Sequence, residues 1–229
     1  MASVTRLGHI FNTTPGSHSV TATPAVNDLI IIITAATPPL NASVLPTENQ
    51  GGTYVILKRV VKNGSADEMM ICARTQLVAS SVSTIYTHQP GNQAVGGGGL
   101  AVFAIAGMTL AGASAVKSSG FQSNQAGGGT PACAMGATVL SSNPLIGAIL
   151  NATNPAGLTP PSGWTEDPTP DIGYNNPATG IELVRRNSGE TGSTITWGST
   201  SASAFCSVAY EFDAGTPAAT KRLAALGVG

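Results

Sequence analysis

The amino-acid sequence predicts an all-β chain, an antiparallel β-sandwich of jelly-roll type. Three observations point there. Short runs rich in β-branched and aromatic residues recur between Gly, Pro and Asn punctuation. Helical periodicity is scarce. An internal repeat supplies two similar sets of strands. At 229 residues the chain can bury a core without a metal or disulfide, and sandwiches of this length commonly form one domain.

In chain order, strands are expected at Val4–Phe11, Ser17–Thr23, Asp28–Ala35, Tyr54–Lys62, Glu68–Leu77, Val82–Thr87 and Leu100–Met108. They continue at Ala113–Ser118, Cys133–Leu140, Leu145–Asn151, Gly180–Arg186, Ser193–Trp197 and Ala204–Phe212. In the last run Ala204, Cys206, Val208, Tyr210 and Phe212 share one face, while Ser207 and Glu211 lie on the other with Phe205 and Ala209. This alternation predicts a half-buried strand. Only Thr216–Leu226 reads as a short helix.

The repeat pairs Asn27–Thr37 (NDLIIIITAAT) with Asn143–Thr153 (NPLIGAILNAT). Each copy continues through a Pro-containing loop, a strand with basic residues (Lys58-Arg59, then Arg185-Arg186), an Asn-Gly or Asn-Ser-Gly turn and a long apolar strand. One sandwich of two facing halves follows: 17–116, a glycine-rich connection 117–131, then 132–213, with a C-terminal arm 214–229. Val4–Thr14 and the C-terminal arm are expected to reach a neighbouring chain, adding a strand or lying across it.

Charged residues are only 9% of the chain and the net charge is −1, with no basic run. Nucleic acid is therefore excluded as a partner, because phosphate binding needs clustered Lys or Arg. The most apolar run, Leu29–Ile33, is too short to span a bilayer, and no secretory leader is apparent at the N-terminus. Cys72, Cys133 and Cys206 are far apart and read as buried, reduced thiols, with a redox or interchain role as the alternative. Gly, Ser, Thr, Asn and Ala take the place of charge, a mixture suited to a surface packed against other subunits.

No catalytic constellation stands out. His9, His18 and His88 are not near a nucleophile elbow. Gly96–Gly99 and Gly127–Gly129 are not followed by Lys-Ser/Thr, so neither reads as a phosphate loop. No cofactor or metal is called for. The acid-rich loop with Glu166, Asp167 and Asp171, beside Trp164 and Tyr174, has three readings: a structural turn, a carbohydrate or receptor contact, or a Ca²⁺ site. Arg185 and Arg186 read either as solvated strand ends or as a docking point for an acidic surface. Trp164, Glu166, Asp171, Tyr174, Arg185 and Arg186 are thus the candidate partner or glycan contacts.

From NPLIGAILNAT through PPSGWTEDP, GIELVRRNSGETGSTITW and SAFCSVAYEF, the second half resembles a β-sandwich module of tailed-phage virion proteins. The C-terminal KRLAALGVG resembles tails that follow such modules. The first half lacks the GWT turn, and Asn143-Pro144 stands where the module has Gly-Asp. The resemblance implies a non-enzymatic virion component, made in the host cytoplasm. The expected role is a head decoration (cement) protein. As a homo-oligomer, for example a trimer, it would contact the major capsid protein. A tail or fibre protein binding host carbohydrate is the alternative.

Overall fold

The computed structural model describes residues 2–37, 44–62, 67–89, 97–151, 158–167, 172–175 and 179–215. The expected C-terminal helix, Asp171, the turn at Asn63-Gly64 and the arm 216–229 lie outside them. Sixteen strands and one short 3₁₀ turn, and no α-helix, make up the described residues. In the first half they are β1 (Ser3–Asn12), β2 (His18–Ala22), β3 (Leu29–Ala36), β4 (Thr47–Glu48), β5 (Tyr54–Lys62), β6 (Asp67–Arg74), β7 (Thr84–His88) and β8 (Gly98–Ala106). After the 3₁₀ turn (Gly112–Ala115) come β9 (Val116–Asn124), β10 (Ala132–Ala134), β11 (Leu145–Asn151) and β12 (Thr165–Glu166). The chain closes with β13 (Ile172–Asn175), β14 (Thr179–Arg186), β15 (Thr194–Thr196) and β16 (Phe205–Phe212).

All strand pairings are antiparallel, and the sheets pack as a sandwich. One large sheet runs β1-β8-β3-β6-β5, and the other runs β9-β16-β11-β14 with β12 and β13 both on the far side of β14. The small sheets are β2-β7-β4 and β10-β15. Adding eight to each strand number of the first set gives 9-16-11-14 and 10-15, so the strand order recurs. The repeated sequence pair falls on the two central strands, β3 and β11.

The two large sheets face each other across a core that includes Leu29, Ile31, Ile33, Phe103, Ile146, Leu183, Val208 and Phe212. Their outer faces are also covered. Ile30, Ile32, Cys72 and Val102 pack against Val20 and Tyr86 of the first small sheet. Ile149, Val184, Phe205 and Ala209 pack against Cys133 and Ile195 of the second. The layering is therefore small, large, large, small. The two large sheets face each other as expected, and each also carries a small sheet on its outer face. That cover corrects the half-buried reading of β16: the alternation has the expected phase, but every residue of Phe205–Phe212 is buried. A strand sandwiched on both faces loses the polar side that period two would reveal.

Two further expectations change. Val4–Thr14 is not a free arm, because Ser3–Asn12 pairs along β8 as the edge of the first sheet. The stretch from Lys117 to Asn124 is not a loop but most of β9, the edge of the second sheet. Its run of Ser, Gly and Gln hid it, since Gly120 is needed where a Cβ would lie 2.8 Å from Ala134 O. Gly127–Gly129 does form a turn, at φ of +75°, +72° and +116°.

The lateral edges share one device. β1, β5, β9 and β13 each carry one extra residue against their partner strand, at Leu7, Leu57, Lys117 and Tyr174. A bulge twists an edge away from further pairing. The bulges make these four edges poor templates for an added strand. At Gly99, opposite Phe11, a Cβ would lie 1.9 Å from Ile10 O. Backbone against backbone cannot rotate away, so Gly99→Ala should destabilise by about 1–3 kcal/mol. A lowered thermal midpoint checks it.

Candidate functional site

β14 ends on two arginines that point to opposite faces. Arg186 turns outward and wraps its own loop. Its Nε donates to Ser188 O (3.0 Å) and its Nη2 to Gly189 O (2.7 Å). Its Nη1 donates to Ser162 O (2.9 Å) and Glu190 Oε2 (3.1 Å). The same Glu190 oxygen accepts Trp164 Nε1 at 3.1 Å, and the other oxygen accepts the amides of Thr191 and Gly192. Burial pushes the Glu190 carboxyl up. The hydrogen bonds from Gly192, Trp164 and Thr191 and the Arg186 charge outweigh it and hold the group below its ordinary range.

The first half builds the same latch at the end of β6. Arg74 Nη1 donates to Gln76 O and Leu77 O, again two and three residues onward. Its Nε and Nη2 reach Glu48, whose other oxygen accepts Tyr54 OH at 2.6 Å. Burial and that hydrogen bond raise the Tyr54 phenol strongly. Arg74, not Lys58-Arg59, is therefore the counterpart of Arg186, because β6 holds in its sheet the place that β14 holds in the other. Arg59 instead pairs with Glu68.

These arginines have little left to give a ligand. Arg186 commits donors from all three nitrogens to its loop and Glu190, and Arg74 does likewise. Chemically the arrangement clamps the loops after β6 and β14. Lys cannot reproduce that fork. Arg186→Lys should speed hydrogen exchange across 187–193 and lower stability by about 1–2 kcal/mol. Trp164 fluorescence reports the loosening.

Arg185 faces the first half. Asp167 accepts from Arg185 Nε and Arg6 Nε, each at 2.6 Å. Arg185 Nη1 also reaches Val4 O, and Asn187 Oδ1 accepts Val4 N at 2.7 Å. Burial pushes Asp167 up, but the two guanidinium groups hold it below its ordinary value. This network pins β1 onto the second half. Arg6 also contacts His9 Nδ1.

The candidate residues therefore separate. Trp164 and Arg186 meet through Glu190. Arg185 goes to Asp167. Glu166 lies half-buried in β12 opposite Val184. Tyr174 is the bulge of β13, and Asp171 lies outside the described residues. A sugar platform needs an open ring face, whereas Trp164 is 7% exposed and packed against the outer core. Arg6, Glu48, Arg74 and Glu190 were missed. Glu190 had a signal: it follows Arg186 by four residues across the Asn187-Ser-Gly189 turn.

Two buried carboxylates complete the inventory. Glu182 accepts Trp197 Nε1 at 3.1 Å, and its Oε2 has no partner. Burial, with Glu166 nearby, pushes it up to about 7. Glu211 accepts Leu140 N and Asn143 Nδ2. The three cysteines are buried free thiols, each pushed up to about 12 by burial. His18 and His88 face each other across β2 and β7, both buried. Among the described residues no three His, Cys, Asp or Glu side chains cluster as a metal site requires. None of their helices is long and apolar enough to cross a membrane. No family model, curated protein or solved structure matches the chain.

Proposed function

We propose that this chain is a structural assembly protein built from two jelly-roll-like units, acting as a homo-oligomeric decoration (cement) protein of a tailed-phage head. The strand order supports the unit assignment: 1-8-3-6 against 2-7-4 is the pairing that two Greek keys produce when they fold into a double-sheet roll. Strand β5 departs from it, joining the large sheet beside β6.

One observation carries the functional reading: the few charges are consumed internally. Of the eight described basic side chains, Arg6, Arg59, Lys62, Arg74, Lys117, Arg185 and Arg186 are ion-paired with carboxylates. The eighth, Lys58, lies 4.6 Å over the Phe121 ring. What faces outward is largely neutral. Such a surface neither steers a charged ligand nor repels a copy of itself. With bulged edges discouraging strand addition, the contacts fall to clamped loops and the outer faces of the small sheets. Repeated by symmetry, many weak contacts of this kind lock a shell through avidity. Negative-stain electron microscopy of the purified full chain tests this. Class averages with rotational symmetry are the expected result, and uniform single protomers at micromolar concentration would refute it.

A further inference from the structure

We propose that the outer edge of β15 is an acceptor site for one extended, uncharged segment of another protein chain, added as a third strand. The two halves differ at this place. β7 carries β2 on one side and β4 on the other, whereas its counterpart β15 carries only β10 among the described residues. The counterpart of β4 is β12, and it pairs with β14 instead. The register shows which groups of β15 face outward. Cys133 pairs with Ile195, Met135 N donates to Ser193 O, and Trp197 N donates to Pro131 O. Alternation then turns the backbone N–H and C=O of Thr194 and Thr196 away from β10. Both threonines are exposed. Unlike β1, β5, β9 and β13, β15 pairs without a bulge, so its edge stays a template for pairing. β2 and β10 instead turn their other edges toward β1 and β9, with Gly8 against Val20 and Gly120 against Ala134.

Beside this edge lies a groove of about 230 Å³, walled on its other side by the Pro161-Ser162 turn and lined also by Arg186 and Glu190. The turn is held from two directions: Thr159 O accepts Gly198 N (2.8 Å) and Ser162 O accepts Arg186 Nη1 (2.9 Å). A walled groove admits a single extended segment rather than the edge of a second sheet. Walls that are already fixed need little ordering on binding. The first half indicates the chemistry of the occupant. There the added strand β4 brings the carboxylate of the latch, Glu48, to Arg74. In the second half Glu190 supplies that carboxylate from the loop after β14. An acid entering at the position of Glu48 would therefore meet Glu190 and no free guanidinium, so a neutral residue is favoured there. Backbone hydrogen bonds to Thr194 and Thr196 supply the affinity, and the groove selects the side chain.

The probe is a synthetic peptide copying Val44–Gln50 with Glu48→Ala, titrated into the isotope-labelled full chain and followed by NMR. Saturable shifts of the Thr194 and Thr196 amides are expected, with a dissociation constant on the order of 1 mM. The unaltered Val44–Gln50 peptide should bind about threefold more weakly, because its acid meets Glu190. A third peptide is the Glu48→Ala probe N-methylated at the positions of Thr47 and Asn49. In the first half these amides face β7, and Asn49 N donates to Ile85 O. Losing both donors should weaken binding about tenfold. No shifts, shifts centred on other residues, tighter binding of the acidic peptide, or equal binding of the N-methylated one would overturn the assignment. The protein itself is unaltered throughout, so no outcome turns on a variant that fails to fold. The site adds a contact to the proposed assembly without resting on it. Peptide binding to a monomer still supports the site, and an oligomer that ignores the peptide overturns it while leaving the assembly reading intact.

Discussion

Replacing Glu182 with Gln should stabilise the protein at pH 9 by about 3 kcal/mol and leave it unchanged near pH 4. Glu182 is fully buried on β14, one oxygen on Trp197 and the other without a partner. Burial raises its folded pKa from 4.5 to about 7. Below pH 4.5 the group is protonated in both states and contributes no difference. As pH rises through 7 the unfolded chain has already lost the proton, so the folded state bears the cost of a buried charge and stability falls. A displacement of this size corresponds to about 3 kcal/mol. Gln keeps an acceptor for Trp197 and has no charge to bury. His88 works in the opposite direction. Burial, then the neighbouring His18, lowers its pKa from 6.5 to about 4, so its share of stability is present above pH 6.5 and lost as pH falls toward 4. The two windows overlap between 4.5 and 6.5 and offset each other in the native protein. Urea midpoints across pH 4–9 should therefore rise with pH through that window in Glu182→Gln, and fall with pH in His88→Gln. Parallel curves for all three proteins would show that neither group is buried as described.

Lys62→Met should cost about 3–5 kcal/mol, whereas Lys62→Met combined with Asp67→Leu should recover most of that loss. Lys62 and Asp67 face each other across β5 and β6 with Nζ and Oδ2 2.5 Å apart, side chains 1% and 5% exposed. The pair sits where β5 and β6 end their pairing, next to the Val61–Glu68 rung. Removing the cation takes from a buried carboxylate the charge it pairs with at 2.5 Å, while the hydrogen bond from Thr37 Oγ1 stays. Removing both leaves no buried charge to desolvate, at the expense of the Thr37 hydrogen bond, worth about 1 kcal/mol. A double-mutant cycle from denaturant midpoints measures the coupling. Additive losses would mean the pair is solvated.

Most strands were legible in the sequence because they carry β-branched residues between turn residues. Tyr54–Lys62 and Leu145–Asn151 have the expected bounds. The phase of β16 was legible too. What period two could not show was that Ser207 and Glu211 lie inside, Ser207 accepting from Cys133 and one oxygen of Glu211 accepting from Leu140 N and Asn143, while its other oxygen has no partner. The short strands β4, β12 and β13 escaped notice. Two or three residues of ladder carry no pattern, and β13 contains Gly173 and a bulge. The arginine latches were only half legible: Arg186 and Trp164 stood out as residue types, but the carboxylate joining them is set by loop geometry. The pairing of Lys58-Arg59 with Arg185-Arg186 failed for a related reason, because sequence similarity followed the basic residues while sheet order follows the hydrogen bonds.

Self-association is proposed to rest on a surface whose described basic side chains are all ion-paired or, for Lys58, held over a ring. Sedimentation velocity of the full chain over a hundredfold range of concentration, in 50 mM and 500 mM NaCl, tests it most directly. Association through neutral contacts should give a discrete oligomer whose dissociation constant changes less than about threefold between the two salts, because unpaired surface charges are what salt screens. A monomer at every concentration, or an oligomer that dissolves at high salt, would contradict the account.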